Sequence, residues 1–167
     1  MKIIVQRVAK ASVSVNNELI SSIGKGLCLL VGIGRYDTMK EMEFMVRKVL
    51  NLRVFEDDNG KRWNKSVKDR QLEILCVSQF TLMCSLKGNK PDYHDSMGPD
   101  LSQEFYNNFL SKLREAYDAD KVKDGRFGAY MSVNIENDGP VTIPLEITPS
   151  RPKSPQEKEP ELANKID

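Results

Sequence analysis

The first fifteen residues, MKIIVQRVAKASVSV, alternate with a period of two over an unusually long stretch. Ile3, Val5, Ala9, Ala11, Val13 and Val15 fall on one face of an extended strand. Such a pattern commits the chain to a sheet. Arg7 sits in phase with these small and apolar residues. A guanidinium near a core needs acceptors, because unpaired burial of a charge is costly. Either a bulge rotates Arg7 outward, or carbonyl groups of a nearby loop accept from it.

The rest of the pattern adds strands and only two helices. VNNEL follows as a hairpin turn, since Asn tolerates positive φ. Residues 26 to 33, GLCLLVGI, are apolar on both faces, as in a central strand. Thr38 and Glu41 form a capping box, and Met42, Met45, Val46, Val49 and Leu50 follow it at helical spacing. LRVFEDDNGKRW predicts a strand, a turn at Asn59-Gly60 and a return. Residues 72 to 82 predict another central strand, followed by the loop LKGNKPDYHDSMGPD. A second helix is expected from about 102 to 117, with Tyr106, Phe109, Leu110, Leu113 and Tyr117 on one stripe and Asp100 or Ser102 as its cap. Two strands, roughly 126 to 136 and 140 to 147, end the domain. Strands and helices do not alternate regularly. The expected class is α+β, a mostly antiparallel sheet or barrel covered by two helices. Residues 1 to 147 form one domain. The stretch 148 to 167 carries four of the eight prolines and many charges, and predicts a disordered tail.

Composition excludes more than it proposes. The 167 residues carry a net charge of +1, so bulk coating of nucleic acid is disfavoured, while gripping only the end of one needs few phosphate contacts. No apolar run is long enough for a membrane span, and the N-terminus lacks a secretory pattern. Three cysteines in apolar strands suggest reduced thiols and a cytoplasmic protein. They lack the C-x-x-C spacing of a structural zinc site. The single histidine, His94, is the only available base for a Ser-His-Asp or Cys-His relay. There is no Walker loop, and GIGR at 32 to 35 lacks the third glycine of a dinucleotide fingerprint. If the chain is an enzyme, backbone groups, hydroxyls or the substrate itself carry much of the chemistry. No cofactor is expected.

Two strand ends are odd. In LCVSQFTLMC, the polar residues Ser78, Gln79 and Thr81 interrupt a buried strand. They mark either a strand leaving the core or a strand end whose N–H groups and hydroxyls face a pocket. In IENDGPVTIPLEI, apolar residues alternate on both sides of Gly139-Pro140. That pair fits an edge-strand turn, where Pro forfeits no ladder bond. FGAYM at 127 to 131 predicts a strand with a gap at Gly128, open to a ligand or another backbone.

Together these residues resemble the D-aminoacyl-tRNA deacylase family. Its two signatures stand here as SQFTL, 78 to 82, and NDGPVT, 137 to 142. QRV with Arg7, NLRVFED, LKGNKP and DGRFGAYM match as well, so the similarity spans residues 1 to about 147. Ser78 and Phe80 place the chain with the D-specific branch, since a related branch carries Pro-Gln-Ala-Thr-Leu in place of the first motif. The resemblance implies a β-barrel-like homodimer with active sites at the subunit interface. It implies hydrolysis of the ester joining a D-amino acid, or glycine, to the 3′ end of a tRNA. It further implies that Gly139-Pro140 is cis and enters the partner's site, where main-chain oxygens reject an L side chain. Arg7 would hold that segment, and Asn137 and Thr142 would shape it. Ser78, Gln79, Phe80 and Thr81 become the catalytic set. The Phe80 and Thr81 N–H groups would hold the carbonyl oxygen while the ribose 2′-OH assists water. The rival mechanism makes Thr81 a covalent nucleophile. Phe127, Gly128, Ala129 and Met131 would line the adenosine pocket, Lys87 and Lys90 would meet phosphates, and no metal is implied. A different class of reading is a nucleic-acid-binding or scaffold dimer that acts through the tail.

Overall fold

A computed structural model describes residues 1–149, and the tail expected from 148 onward lies almost wholly outside the described residues. The main sheet is built from β1 (Lys2–Val15), β2 (Glu18–Ile23), β3 (Gly26–Gly32), β4 (Glu73–Ser78), β7 (Val122–Asp124) and β8 (Ser132–Glu146). A small hairpin, β5 (Ser85–Lys87) with β6 (Lys90–Asp92), stands apart. The helices are α1 (Met39–Asn51) and α2 (Pro99–Ala116). The strand order is β2-β1-β3-β4-β7, with β8 on the other edge of β1.

The sheet is mixed, where a mostly antiparallel one was expected. β1 pairs antiparallel with β2, β3 and β8, but β3–β4 and β4–β7 are parallel. The reason is connectivity: α1 lies between β3 and β4 and α2 between β4 and β7, and a helical crossover returns the chain in the same direction. The class remains α+β, a barrel-like sheet with two helices.

The long alternation in β1 is real, but its two halves serve different cores. Ile3 and Val5 pack with Leu27, Leu29 and the α1 residues Met42 and Met45, under the helices. Val8, Ala11 and Val13 pack instead with Cys28, Leu75 and Val77, on the opposite face of β3 and β4. The switch is a bulge. Pairing with β8 slips at Arg7/Val8 and again at Val8/Lys10, leaving Ala9 exposed rather than on the buried face. One extra residue in a period-two strand exchanges its faces. β8 makes the same exchange: Val133 and Ile135 pack on the second core, Val141, Ile143 and Leu145 on the first. It is therefore one strand with an excursion, not the two strands expected.

Local chemistry explains most element boundaries. Asn16 and Asn17 both adopt positive φ, 51° and 64°, and close the β1–β2 hairpin. The Thr38 side chain caps α1, and its N–H donates to Glu41 at 2.8 Å, completing the capping box. α2 starts at Pro99, three residues earlier than expected, and its N-cap is Gly98 rather than Asp100 or Ser102. A proline is tolerated there because the first helical N–H groups have no intrahelical acceptor. The expected strand-turn-strand at 52 to 63 reduces to a turn closed by Gly60 N–H onto Asp57 and a single bridge, Phe55 to Lys65.

Candidate active site

The segment 72 to 82 is not strand throughout. β4 ends at Ser78, and Phe80–Met83 is a turn of 3-10 helix. The last ladder bond runs from Gln79 N–H to the Val31 carbonyl at 2.7 Å. Beyond it β3 stops at Gly32, and β7 reaches only as far as Cys76, so no further strand carbonyls are available. The chain folds back over Gly32. A Cβ on Gly32 would lie 2.8 Å from Leu82 Cβ and 3.2 Å from the Gln79 carbonyl oxygen. Gly32 is thus a residue of this site that period-two patterning did not reveal. Its signal was the glycine closing an otherwise fully apolar strand.

The turn exposes backbone donors. Phe80 and Thr81 are its first residues, whose N–H groups find no acceptor within a helix. Neither donates to a backbone or side-chain acceptor among the described residues. The Gln79 side-chain amide donates to the Thr81 hydroxyl oxygen. Phe80 is 59% exposed and meets Tyr93 edge-on, with ring centroids 5.1 Å apart. The loop carrying Tyr93 is tied to the end of β3 by Met97 N–H to the Ile33 carbonyl at 3.0 Å and Arg35 N–H to Asp95 at 2.9 Å. Three segments therefore converge where the parallel strands β3 and β4 end. Crevices at the carboxyl ends of parallel strands are where open sheets place ligands.

His94 belongs to a charged cluster beside this turn. Its Nδ1 lies 2.5 Å from Asp92 Oδ1 and its Nε2 lies 3.4 Å from Asp95 Oδ2. Lys87 contacts the other oxygen of Asp92. The lysine foremost, then the His94 donors, hold the Asp92 carboxyl far below the ordinary carboxylate range. Lys87 and Lys90 face each other across the β5–β6 hairpin, both exposed. Of the two, Lys87 already has an anionic partner.

Gly139 and Pro140 form the excursion in β8. Arg7 pairs with Val141 and Val8 with Asn137, so Asp138, Gly139 and Pro140 bulge out of the ladder. The Gly139–Pro140 peptide is cis, and Gly139 has φ +124°. Both residues are exposed. Arg7 secures the base of the bulge: Nε donates to the Asp138 carbonyl at 3.1 Å, and Nη1 donates to the Val54 carbonyl at 2.6 Å. Of the two sequence alternatives for Arg7 the second holds: the bulge beside it does not turn it outward, since its side chain is only 21% exposed and donates to carbonyls. Asn137 and Thr142 flank the excursion as exposed, paired residues.

One chain does not unite the two motifs. Ser78 lies level with Val31, Ile3 and Leu145 across the sheet, whereas Val141 lies level with Arg7, Leu27 and Ile74. Four residues along a strand and three strands across put them about 13 Å apart lengthwise and about 14 Å apart sideways.

The segment 127 to 131 is also not a strand. Phe127 and Gly128 form a turn, with Gly128 at φ +73°. Phe127 packs on Tyr106 of the first core at a 5.6 Å centroid distance, while Met131 packs on the second core, its sulfur accepting from Arg126 N–H at 3.4 Å. Ala129 is half-buried between them in sequence, and its N–H donates to the Arg126 carbonyl at 3.2 Å. Two surface concavities of about 420 and 550 Å³ lie elsewhere, at the end of α1 and between β2 and β7. Among the described residues, no helix is long and apolar enough to cross a membrane, and no three His, Cys, Asp or Glu side chains are grouped to hold a metal ion.

Known proteins resemble this chain throughout the described region. The family model for D-Tyr-tRNA(Tyr) deacylase matches residues 4–146. D-aminoacyl-tRNA deacylase 1 of Danio rerio is 62% identical over 156 residues, covering 93% of this chain and 75% of that protein. The D-aminoacyl-tRNA deacylase of Drosophila melanogaster is 58% identical over 159 residues, covering 95% and 96%. A solved structure named c-Myc DNA Unwinding Element Binding Protein superposes with a TM-score of 0.86 at 62% identity, over 90% of this chain and all of that one. Another, of a probable eukaryotic D-amino acid tRNA deacylase, shares the fold with a TM-score of 0.74 at 19% identity, over 87% and 98%. With its two signature segments in order and a matching framework around them, the chain belongs to the D-Tyr-tRNA deacylase family.

Proposed function

We propose that the protein hydrolyses the ester of D-aminoacyl-tRNA, and of glycyl-tRNA, releasing the amino acid and the tRNA. The observation that carries the chemistry is the pair of unpartnered N–H groups on Phe80 and Thr81. Donors aimed at a developing oxyanion are worth about 3–4 kcal/mol each. Positioning of the ester supplies much of the rest. Thr81 is a poor covalent nucleophile here. Its hydroxyl meets the Gln79 amide NH2, a donor that cannot accept a proton. His94 is engaged with Asp92 and Asp95 instead. The ribose 2′-OH next to the scissile ester is therefore assigned the task of positioning or activating water.

Selectivity follows from the excursion in β8. A filter of main chain cannot swing aside as a rotamer does. Placed against the substrate α-carbon, the Gly139-Pro140 carbonyls meet an L side chain and leave room for a D side chain or for hydrogen. The sheet register supports a site shared by two copies, because within one chain the pair lies far from Ser78 and Thr81. Each protomer of a homodimer would lend its excursion to its partner's turn. Ser78 and Gln79 would face the amino acid or ribose. Gly128 and Ala129 would edge the adenosine pocket, with Phe127 and Met131 setting its walls from two cores. Lys90, and Lys87 once freed from Asp92, would meet phosphates of the 3′ end.

The test is hydrolysis of matched D-Tyr-tRNA and L-Tyr-tRNA by the purified protein. Rapid loss of the D ester alone is expected, and equal rates on both refute the reading. A second reading, nucleic-acid binding through residues 148 to 167, draws on the DNA-binding name of the 62% identical structure. Deleting that stretch separates the two: deacylation persists and any tail-dependent binding is lost.

A further inference from the structure

The concavity of about 420 Å³ at the end of α1 is lined by Phe44, Arg47, Lys48, Asn51, Leu52 and Arg53. Three of the six are cationic and none is acidic. No ion pair within 4.0 Å engages Arg47, Lys48 or Arg53 among the described residues. Asp69, which feels the charge of Arg53 only weakly, accepts instead from Ser66 N–H at 2.9 Å. The floor is the half-buried pair Phe44 and Leu52, and Lys48 stands over the Phe44 ring at 5.5 Å. Cations in a last helical turn complement the helix dipole, which accounts for Lys48. It does not account for Arg53, which lies beyond the helix.

The place of this patch matters more than its charge. Arg53 immediately precedes Val54, whose carbonyl accepts from Arg7, and Arg7 in turn holds the Asp138 carbonyl at the base of the Gly139-Pro140 excursion. Two hydrogen bonds thus connect the cationic groove to the segment read above as entering the partner's pocket. A polyanion whose 3′ end meets the Gly139-Pro140 excursion therefore has these cations within the same hydrogen-bonded unit.

We infer that Arg47, Lys48 and Arg53 form a docking surface for the sugar-phosphate backbone of the tRNA acceptor end held in the partner subunit's pocket. This rests on the deacylase reading. The side chains are point or fork donors on an exposed rim, suited to phosphate oxygens and indifferent to base sequence. The groove has no strand edge or deep apolar cleft to take a peptide.

The experiment uses the intact protein with Lys48→Gln and Arg53→Gln combined. A control of equal charge change, Lys25→Gln with Lys121→Gln, takes one lysine from the β2–β3 turn and one from just before β7. Binding of uncharged tRNA is measured against salt. Each phosphate contact removed lowers the slope of log K on log salt by about 0.7–0.9, so the groove variant should lose roughly 1.5 and bind roughly tenfold or more weakly near 0.1 M salt. The control should match wild type. A groove variant with the wild-type slope, or a control that loses as much, overturns the docking surface. A D-tyrosyl ester of adenosine, too small to reach the groove, reads the pocket alone. Equal hydrolysis by wild type and groove variant is expected, and a variant that fails equally on this minimal ester shows that the residues do not act through tRNA. If wild type ignores the minimal ester and D-Tyr-tRNA alike, the deacylase reading fails, while the slope of tRNA binding still decides the groove.

Discussion

Arg7 and Asp138 are joined twice: Arg7 Nε donates to the Asp138 carbonyl at 3.1 Å and lies 3.3 Å from its carboxylate Oδ2. The side chain of Arg7 is 21% exposed and also holds Val54, so one guanidinium ties β1, the segment that follows α1 and the β8 excursion together. Arg7→Met leaves two carbonyls without their donor. The expected loss is about 1–3 kcal/mol of stability, read by urea unfolding. A loosened excursion should also admit L-Tyr-tRNA as a substrate. Arg7→Lys, which has no fork to reach two carbonyls, should show the same leak in weaker form.

Gly32→Ala tests the turn from below. The added methyl would press on Leu82 and on the Gln79 carbonyl, at 2.8 and 3.2 Å. Overpacking of this kind costs about 1–3 kcal/mol. A displacement approaching 1 Å at the Phe80 and Thr81 donors should lower kcat about a hundredfold. Single-turnover kinetics on D-Tyr-tRNA, set beside a melting curve, separate the two effects. An unchanged kcat would mean that the turn does not hold the reacting ester.

Thr81→Ala and a 2′-deoxy substrate form a pair. Substrate assistance predicts turnover within about tenfold of wild type for Thr81→Ala and a loss of several orders of magnitude for the deoxy ester. The covalent route predicts the reverse order.

Alkaline pH should destabilise the fold. Burial pushes the Cys28 thiol up to about 11, and Cys76, also buried, still higher. A group whose pKa is raised in the folded state contributes fully below its unfolded value, about 8.5, and loses that contribution as pH climbs through the folded value. Urea midpoints should therefore fall between pH 8.5 and 11, and Cys28→Ala should flatten the decline. In native protein at pH 8, iodoacetamide should modify only the partly exposed Cys84.

Periodicity located the elements that have one environment. α1 keeps one apolar stripe and a capping box, and β3 is apolar on both faces because both are covered. It failed where the environment changes within an element. β1 and β8 exchange cores at Arg7–Lys10 and Asp138–Pro140, which a single period cannot express. The segment 79–82 kept its apolar alternation while its ladder partners ran out, so a strand was expected where a 3-10 turn forms. Site residues were legible through their misfit with these patterns: an arginine among valines, a polar strand end and a Gly-Pro pair within a strand. Gly32 fitted its strand and stayed hidden. Assigning chemistry to those misfits required the family resemblance.

In the proposed dimer, the excursion of one chain judges the substrate held by another. A heterodimer purified through two tags tests it directly. One subunit carries Gly139→Ala with Pro140→Ala and an intact turn. The other keeps its Gly-Pro pair but carries Phe80→Pro, which deletes one N–H donor at a helix start that accepts proline. The homodimer of the first chain should hydrolyse D-Tyr-tRNA and L-Tyr-tRNA alike. In the heterodimer the sole working turn faces an intact excursion, so it should hydrolyse D-Tyr-tRNA and spare L-Tyr-tRNA. Hydrolysis of L-Tyr-tRNA by the heterodimer, at the rate per working site of that homodimer, would place the filter within a single chain and contradict the account.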